Sequence, residues 1–347
     1  MLLCAAANAG NARSSLDELL GAELADFPGR AGLYVKHLGT GEVAGIRADD
    51  SFNSQSVIKI AILIRAFQLA DRKQLDLDQR IEIQRADLRD GSGVLQFHSP
   101  GLAPTIRDLL LQMVITSDNT ATDLLIVRIG GVEALNGWLA ASGYPKTRKL
   151  NRGWEYRRKL LTLIDAQFAR LTPEETTGLQ YAMQESPLFE RYAALFVGER
   201  AAWVDKVRSP AARESRLSWN RRMVEERRFW LGDMNPRETG QMIEAIERCT
   251  LVSQQSCAAM KWMLRSQLAG SRRLPHFLNV PVAHKTGDSA LIANDVGIVY
   301  ARSGAIVMAF FVNGITGALG DAEDRMGRIA QRVVAHFDGA ASRPDAP

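Results

Sequence analysis

Cysteine and histidine are both scarce. The chain has three cysteines in 347 residues, Cys4, Cys249 and Cys257, with no C-x-x-C spacing. Its five histidines form neither H-x-x-x-H nor H-E-x-x-H. A structural or catalytic zinc site is therefore not expected, nor is any other metal or cofactor. Cys249 and Cys257 can be read as a bridge or as two separate thiols, which leaves the redox compartment open. No run of 18 apolar residues occurs, so no membrane span is expected. The net charge of +4 is small for this length, and no nucleic-acid motif accompanies it. Internal repeats and low-complexity linkers are also missing.

What remains is an ordinary globular composition, 46% hydrophobic and 24% charged, in a chain long enough for about two lobes. Apolar and small residues open it: Met1-Leu2-Leu3-Cys4-Ala5-Ala6-Ala7-Asn8-Ala9. That stretch reads either as the tail of a secretory signal peptide without its basic start, implying a periplasmic or secreted protein, or as an Ala-rich tail. Ser15-Leu16-Asp17-Glu18 is a capping box that starts a helix. Alternating residues over 33–38 and 43–46, separated by Gly39-Thr40-Gly41-Glu42, predict a hairpin. Strands are next expected at 280–284, 295–301 and 305–312, with a closing helix over 327–337. Between these ends the pattern is helical. The expected fold is therefore α/β of the α+β type. One antiparallel sheet (1–50 and 280–347) is flanked by terminal helices, and an all-helical lobe (51–279) is inserted.

Within that lobe, residues 148–230 stand apart: 17 Lys and Arg against 11 Asp and Glu, with Trp154, Trp203, Trp219 and Trp230. An atypical basic insertion at about 150–232 is expected, either a lid or docking surface, or a helical excursion with its own small core.

Ser56-Val57-Ile58-Lys59 opens the run Ile60-Ala61-Ile62-Leu63-Ile64-Arg65-Ala66-Phe67, apolar on nearly every face and so a buried helix. An ammonium in its first turn is costly unless partnered or neutralised. The i, i+3 spacing lets Ser56 and Lys59 share a face, where a desolvated lysine can activate a serine nucleophile. Alone, S-x-x-K is a short pattern. Two further patterns follow in order, Ser117-Asp118-Asn119 between two predicted helices and Lys285-Thr286-Gly287 at a predicted strand.

This ordered trio resembles the signature of the serine β-lactamase and penicillin-recognising family, class A most closely. The likeness runs over nearly the whole chain outside about 150–232. It extends to Gly91-Ser92-Gly93-Val94-Leu95 and to Asn294-Asp295. The resemblance implies that Ser56 is acylated and that Lys59 takes its proton. Ser117 would pass a proton to the leaving nitrogen, and Asn119 would bond the substrate amide. Lys285 would add positive charge near Ser117, Thr286 would offer a hydroxyl to a substrate carboxylate, and Gly287 would admit the substrate to the strand edge. The backbone N–H groups of Ser56 and Asp288 would form the oxyanion hole. The partner implied is a small molecule: a β-lactam, or alternatively a D-alanyl peptide or small ester. A slowly released penicillin-binding sensor is a further alternative.

Two departures bear on chemistry. The family's deacylating loop glutamate is followed four residues on by Asn. Here Leu150-Asn151-Arg152-Gly153-Trp154-Glu155 resembles the start of that loop, but Lys159 stands four after Glu155. Glu155 is the first candidate, and Glu225 and Glu226 are its rivals. Asp288 also stands where the family carries a small neutral residue. No arginine lies in 289–299 to help Lys285 with an anionic substrate.

Overall fold

In chain order, the computed structural model describes residues 15–341. The segment carrying the leader-like stretch and Cys4 lies outside them. The first helix is α1 (Leu16–Leu24), whose Ser15 and Glu18 cap each other's backbone as expected. Strands β1 (Arg30–His37), β2 (Val43–Ile46) and the two-residue β3 (Phe52–Asn53) lead to a 3₁₀ turn, Gln55–Ile58, and then to α2 (Lys59–Asp71). Four helical or extended pieces follow: α3 (Ile106–Ile115), α4 (Asn119–Arg128), α5 (Gly131–Ala141) and β4 (Arg148–Lys149). The insertion contributes α6 (Gly153–Leu161), α7 (Pro173–Met183), α8 (Ala201–Arg208) and α9 (Pro210–Glu225). The chain returns through β5 (Gly232–Met234), α10 (Pro236–Glu247) and α11 (Gln254–Arg265). It ends with β6 (Val282–Ser289), β7 (Ile292–Ala301), β8 (Gly304–Asn313) and α12 (Leu319–Ala341).

The two ends of the chain meet in one antiparallel five-stranded sheet, ordered β2-β1-β8-β7-β6. Leu33 pairs with Phe310 and Lys285 with Val296, so both chain ends share one register. Strands β7 and β8 are buried over most of their length because helices cover both faces. On one face Leu20, Phe310, Met326 and Val333 join α1, α12 and the sheet. On the other, α2 lies at the centre of the helical core, with Ile60 to Ile64 each 0–1% exposed. That burial explains an apolar helix with no solvent face.

Strands are not confined to the chain ends, contrary to the sequence expectation. A small second sheet, ordered β3-β5-β4, lies in the middle of the chain. Its strands are two or three residues long, too short to carry a period of two. This sheet pinches the insertion at its base, since Lys149 pairs with Gly232 and Asn53 with Asp233. The insertion has its own core of Tyr156, Leu160, Phe168, Leu179, Tyr192 and Trp219, with Trp203 packed against it. Cys249 and Cys257 are joined in a disulfide, their Cα atoms 5.4 Å apart.

Candidate active site

Strand β3 delivers the chain to the Ser56 turn, and Asn53 fixes that delivery. Its backbone N–H donates to Asn313 Oδ1 (2.8 Å), and its carbonyl accepts from Asn294 Nδ2 (2.9 Å). Its side-chain amide donates to the Met223 carbonyl in the insertion (2.8 Å), while its Oδ1 accepts from Gln55 N–H (3.2 Å). One buried residue thus ties sheet, insertion and Ser56 turn together. Gln55 then takes a φ of 45°, a left-handed conformation costly for a side-chain-bearing residue. Ser56 follows inside the 3₁₀ turn, 9% exposed.

Lys59 is the first residue of α2 and is 3% exposed. Its Nζ donates to the Ser117 carbonyl (2.6 Å), Ser117 Oγ (3.0 Å) and Asn119 Oδ1 (3.2 Å). The expected bond between Lys59 and Ser56 is not among the hydrogen bonds of the described residues. The lysine is drawn across the cleft because Ser117 and Asn119 offer three acceptors. Burial pushes its pKa well below 10.5, and repulsion from the Lys285 ammonium adds to this.

Ser117 sits at the junction of α3 and α4 with a φ of 56°, again left-handed. Asp118 holds the junction. Its side chain caps α4 through Ala121 N–H (2.9 Å) and accepts from Leu95 N–H (2.8 Å). Gly93 lies so close that a Cβ there would fall 2.2 Å from Asp118 Oδ2. Ser117 Oγ also accepts from Lys285 Nζ (3.1 Å). Two lysines therefore occupy its lone pairs and leave its proton free to be given away. Lys285 is fully buried, which lowers its pKa to about 8.

In the third motif Lys285 lies beside Ser117, but Thr286 and Gly287 are placed differently from what the resemblance implies. Thr286 is fully buried, its hydroxyl unpartnered within the described residues, and it does not border the cleft cavity. A Cβ on Gly287 would fall 2.4 Å from the Ser54 carbonyl and 3.1 Å from Ser56 N. The glycine therefore serves the close approach of β6 to the Ser56 turn rather than leaving space beside the strand edge. The Asp288 carboxylate is ion-paired with Arg273, which also binds Glu323 (2.8 Å) and the Asn294 carbonyl (2.9 Å). The positive group missing from 289–299 is thus supplied by the loop before β6. A charged Ser271-Arg272-Arg273 segment was the only sequence sign of it.

A cavity of about 270 Å³ lies against these residues. Ser56, Lys59, Asn119 and Asp288 border it, as do Lys149, Tyr156, Asn220 and Met223. The three glutamates weighed as deacylation bases do not border it. Glu155 is the third residue of α6, and its carboxylate caps that helix by accepting from Arg152 N–H (2.9 Å). Glu225 ends α9, and Glu226 pairs with Arg222 and Arg228. The carboxylates that do border it are Asp90, Asp123 and Asp288. Asp90 pairs with Arg157 (3.0 Å) and accepts from Gln184 Nε2 (3.1 Å). Asp123 pairs with Arg89 (2.8 Å) and accepts from Gly153 N–H (2.8 Å). No cluster of metal-ligating side chains occurs among the described residues.

A family model described as the beta-lactamase enzyme family matches residues 11–196 and 201–337. β-Lactamase L2 of Stenotrophomonas maltophilia is 34% identical over 115 residues, 33% of this chain and 38% of that protein. β-Lactamase SME-1 of Serratia marcescens is 27% identical over 164 residues, 44% of this chain and 53% of that protein. The matched stretch thus spans about half or less of these relatives' lengths. The crystal structure of a β-lactamase from Sphaerobacter thermophilus superposes with a TM-score of 0.66 at 23% identity. It covers 94% of this chain and 97% of that one, a likeness of fold.

Proposed function

The chain belongs to the β-lactamase enzyme family, and from that footing we propose that it is a serine hydrolase that opens β-lactam rings through an acyl-enzyme on Ser56. Ser56 Oγ attacks the lactam carbonyl carbon, and its proton passes to Lys59 Nζ. The C–N bond then breaks, and the leaving nitrogen takes a proton from Ser117 Oγ, which Lys59 replenishes. The observation that carries this reading is the Ser117 hydroxyl held between Lys59 and Lys285 at 3.0 and 3.1 Å. That arrangement gives a proton relay with a buried base at one end, where the low pKa of Lys59 suits it to accept a proton. The Ser56 and Asp288 backbone N–H groups are the proposed oxyanion donors. Arg273 neutralises Asp288, so a substrate carboxylate meets less repulsion there.

One observation favours a second reading, a penicillin-binding module released slowly after acylation. Glu155 is engaged in a helix cap, and each carboxylate at the cavity is already ion-paired. Nitrocefin turnover followed alongside intact mass tests both. Turnover without an accumulated adduct supports hydrolysis, and a persistent adduct supports the slow-release module. Silence toward nitrocefin with cleavage of D-alanyl esters would replace both by an esterase or peptidase. The disulfide fits a periplasmic or secreted location.

A further inference from the structure

Lysine 149 has no role in the relay just described, yet it borders the same cavity as Ser56. It ends β4, whose pairing with β5, itself paired with β3 just before the Ser56 turn, anchors it there. Its backbone is fixed by two bonds with Asn136, Lys149 N–H to Oδ1 (2.7 Å) and Nδ2 to the Lys149 carbonyl (2.8 Å). The residue is 2% exposed. No hydrogen bond or ion pair of its Nζ occurs among those of the described residues. Water is thus largely kept from this amine, and no carboxylate clasps it. Burial lowers its pKa to about 8, with Asp123 on α4 and Glu155 on α6 pulling the other way. Lys59 on α2 is near enough for the two lysines to repel. The other charged groups around the cavity, Arg89, Asp90, Arg157 and Asp288, face it from the loops and from α6 and β6.

Hydrolysis of an acyl-Ser56 ester needs a base for water. Lys59 is already the base of the Ser117 relay, and the cavity's carboxylates are paired with arginines, whereas the Lys149 amine has neither task nor partner among the described residues. Resting on the acyl-enzyme reading above, we propose that the Lys149 side-chain amine is the general base that activates the deacylating water. The water oxygen bonds to the acyl carbon while one water proton goes to Lys149 Nζ. The carbon–Ser56 Oγ bond then breaks, Ser56 Oγ regains a proton from the Lys59–Ser117 relay, and the carboxylic acid leaves. The extra proton of the lysine then returns to the Lys59–Ser117 relay through water, which restores the starting protonation. Asp123 and Glu155 stabilise the ammonium formed in between, as their effect on its pKa implies. This gives Glu155, the first of the three candidates read from the sequence, an indirect part in the step.

The test compares wild type, Lys149→Met and Lys149→Arg in the full-length chain by stopped-flow nitrocefin kinetics and intact mass. Met keeps the bulk without a base, and Arg keeps the charge without a usable lone pair. Both variants are expected to acylate within a few-fold of wild type and to deacylate at least about 10²-fold more slowly, with the adduct accumulating. The wild-type deacylation rate should rise with pH through about 8, and the variants' residual rate should lose that rise. Unchanged acylation reports an intact fold and site. Deacylation at the wild-type rate in Lys149→Met overturns the assignment, as does a wild-type adduct that never clears, although acyl transfer to Ser56 would then still stand. A wild type that nitrocefin does not acylate overturns the acyl-enzyme reading itself.

Discussion

Three lysines, Lys59, Lys149 and Lys285, are 3%, 2% and 0% exposed around one serine. Burial acts first on each, holding all three below 10.5, the latter two at about 8. Lys59→Arg keeps the cation but cannot be deprotonated. It should slow Ser56 acylation by at least about 10²-fold in stopped-flow assays. An unchanged rate would make Lys59 purely structural. The same burial predicts how stability depends on pH. Unfolding returns each lysine to about 10.5, so above about 8 the unfolded chain binds more protons than the fold, and stability rises with pH. Below about 8 Lys149 and Lys285 are protonated in both states and their full cost of burial is present. Above 10 the raised pKa values of Tyr192 and Tyr300 act with the opposite sign, closing the window. Urea midpoints at about pH 7.5 and about pH 9.5 should show the gain in wild type and a smaller one in Lys149→Met. Equal gains would show that Lys149 titrates normally.

At the scale of elements, the site depends on how closely β6 approaches the Ser56 turn. Gly287→Ala would place a Cβ 2.4 Å from the Ser54 carbonyl. The strand must move, at a cost of about 1–3 kcal/mol. Acylation should fall with the displaced Lys285, and a wild-type rate and urea midpoint together would refute the packing argument. Much of this level was legible in the sequence. The long apolar run after Ser56 locates α2, alternation locates β1 and apolar runs locate β7 and β8, and the capping boxes at Ser15 and Thr172 place two helix starts. The Asn235 cap with Pro236 places a third. The small β3-β5-β4 sheet was not legible, because pairs of residues carry no period. Lys149 was hidden for the same reason: only the pairing of β4 with β5 turns a lysine in a basic stretch into a cavity wall. Likewise, Glu155 sits where the loop pattern points, but the third position of a helix draws its carboxylate back onto Arg152 N–H.

The whole molecule is held by contacts between distant parts of the chain. Asn53 joins the sheet, the Ser56 turn and the insertion at once. The insertion brings its own core and borders the cavity with Tyr156, Asn220 and Met223. The Cys249–Cys257 disulfide closes a short loop, eight residues in sequence separation, between α10 and α11. Removing it by Cys249→Ala with Cys257→Ala should cost about 2–3 kcal/mol of stability in a urea titration. Nitrocefin activity below the transition should be unchanged, since the bridge lies away from the cavity; a loss of activity in the folded variant would contradict this. All these parts converge on one atom, Ser56 Oγ. Its role is tested most directly by acid-quenching the protein with benzylpenicillin within the acylation phase and mapping the adduct by peptide mass. The adduct is expected on the peptide carrying Ser56 in wild type and absent throughout Ser56→Ala. An adduct on another residue, or an undiminished yield in Ser56→Ala, would contradict it.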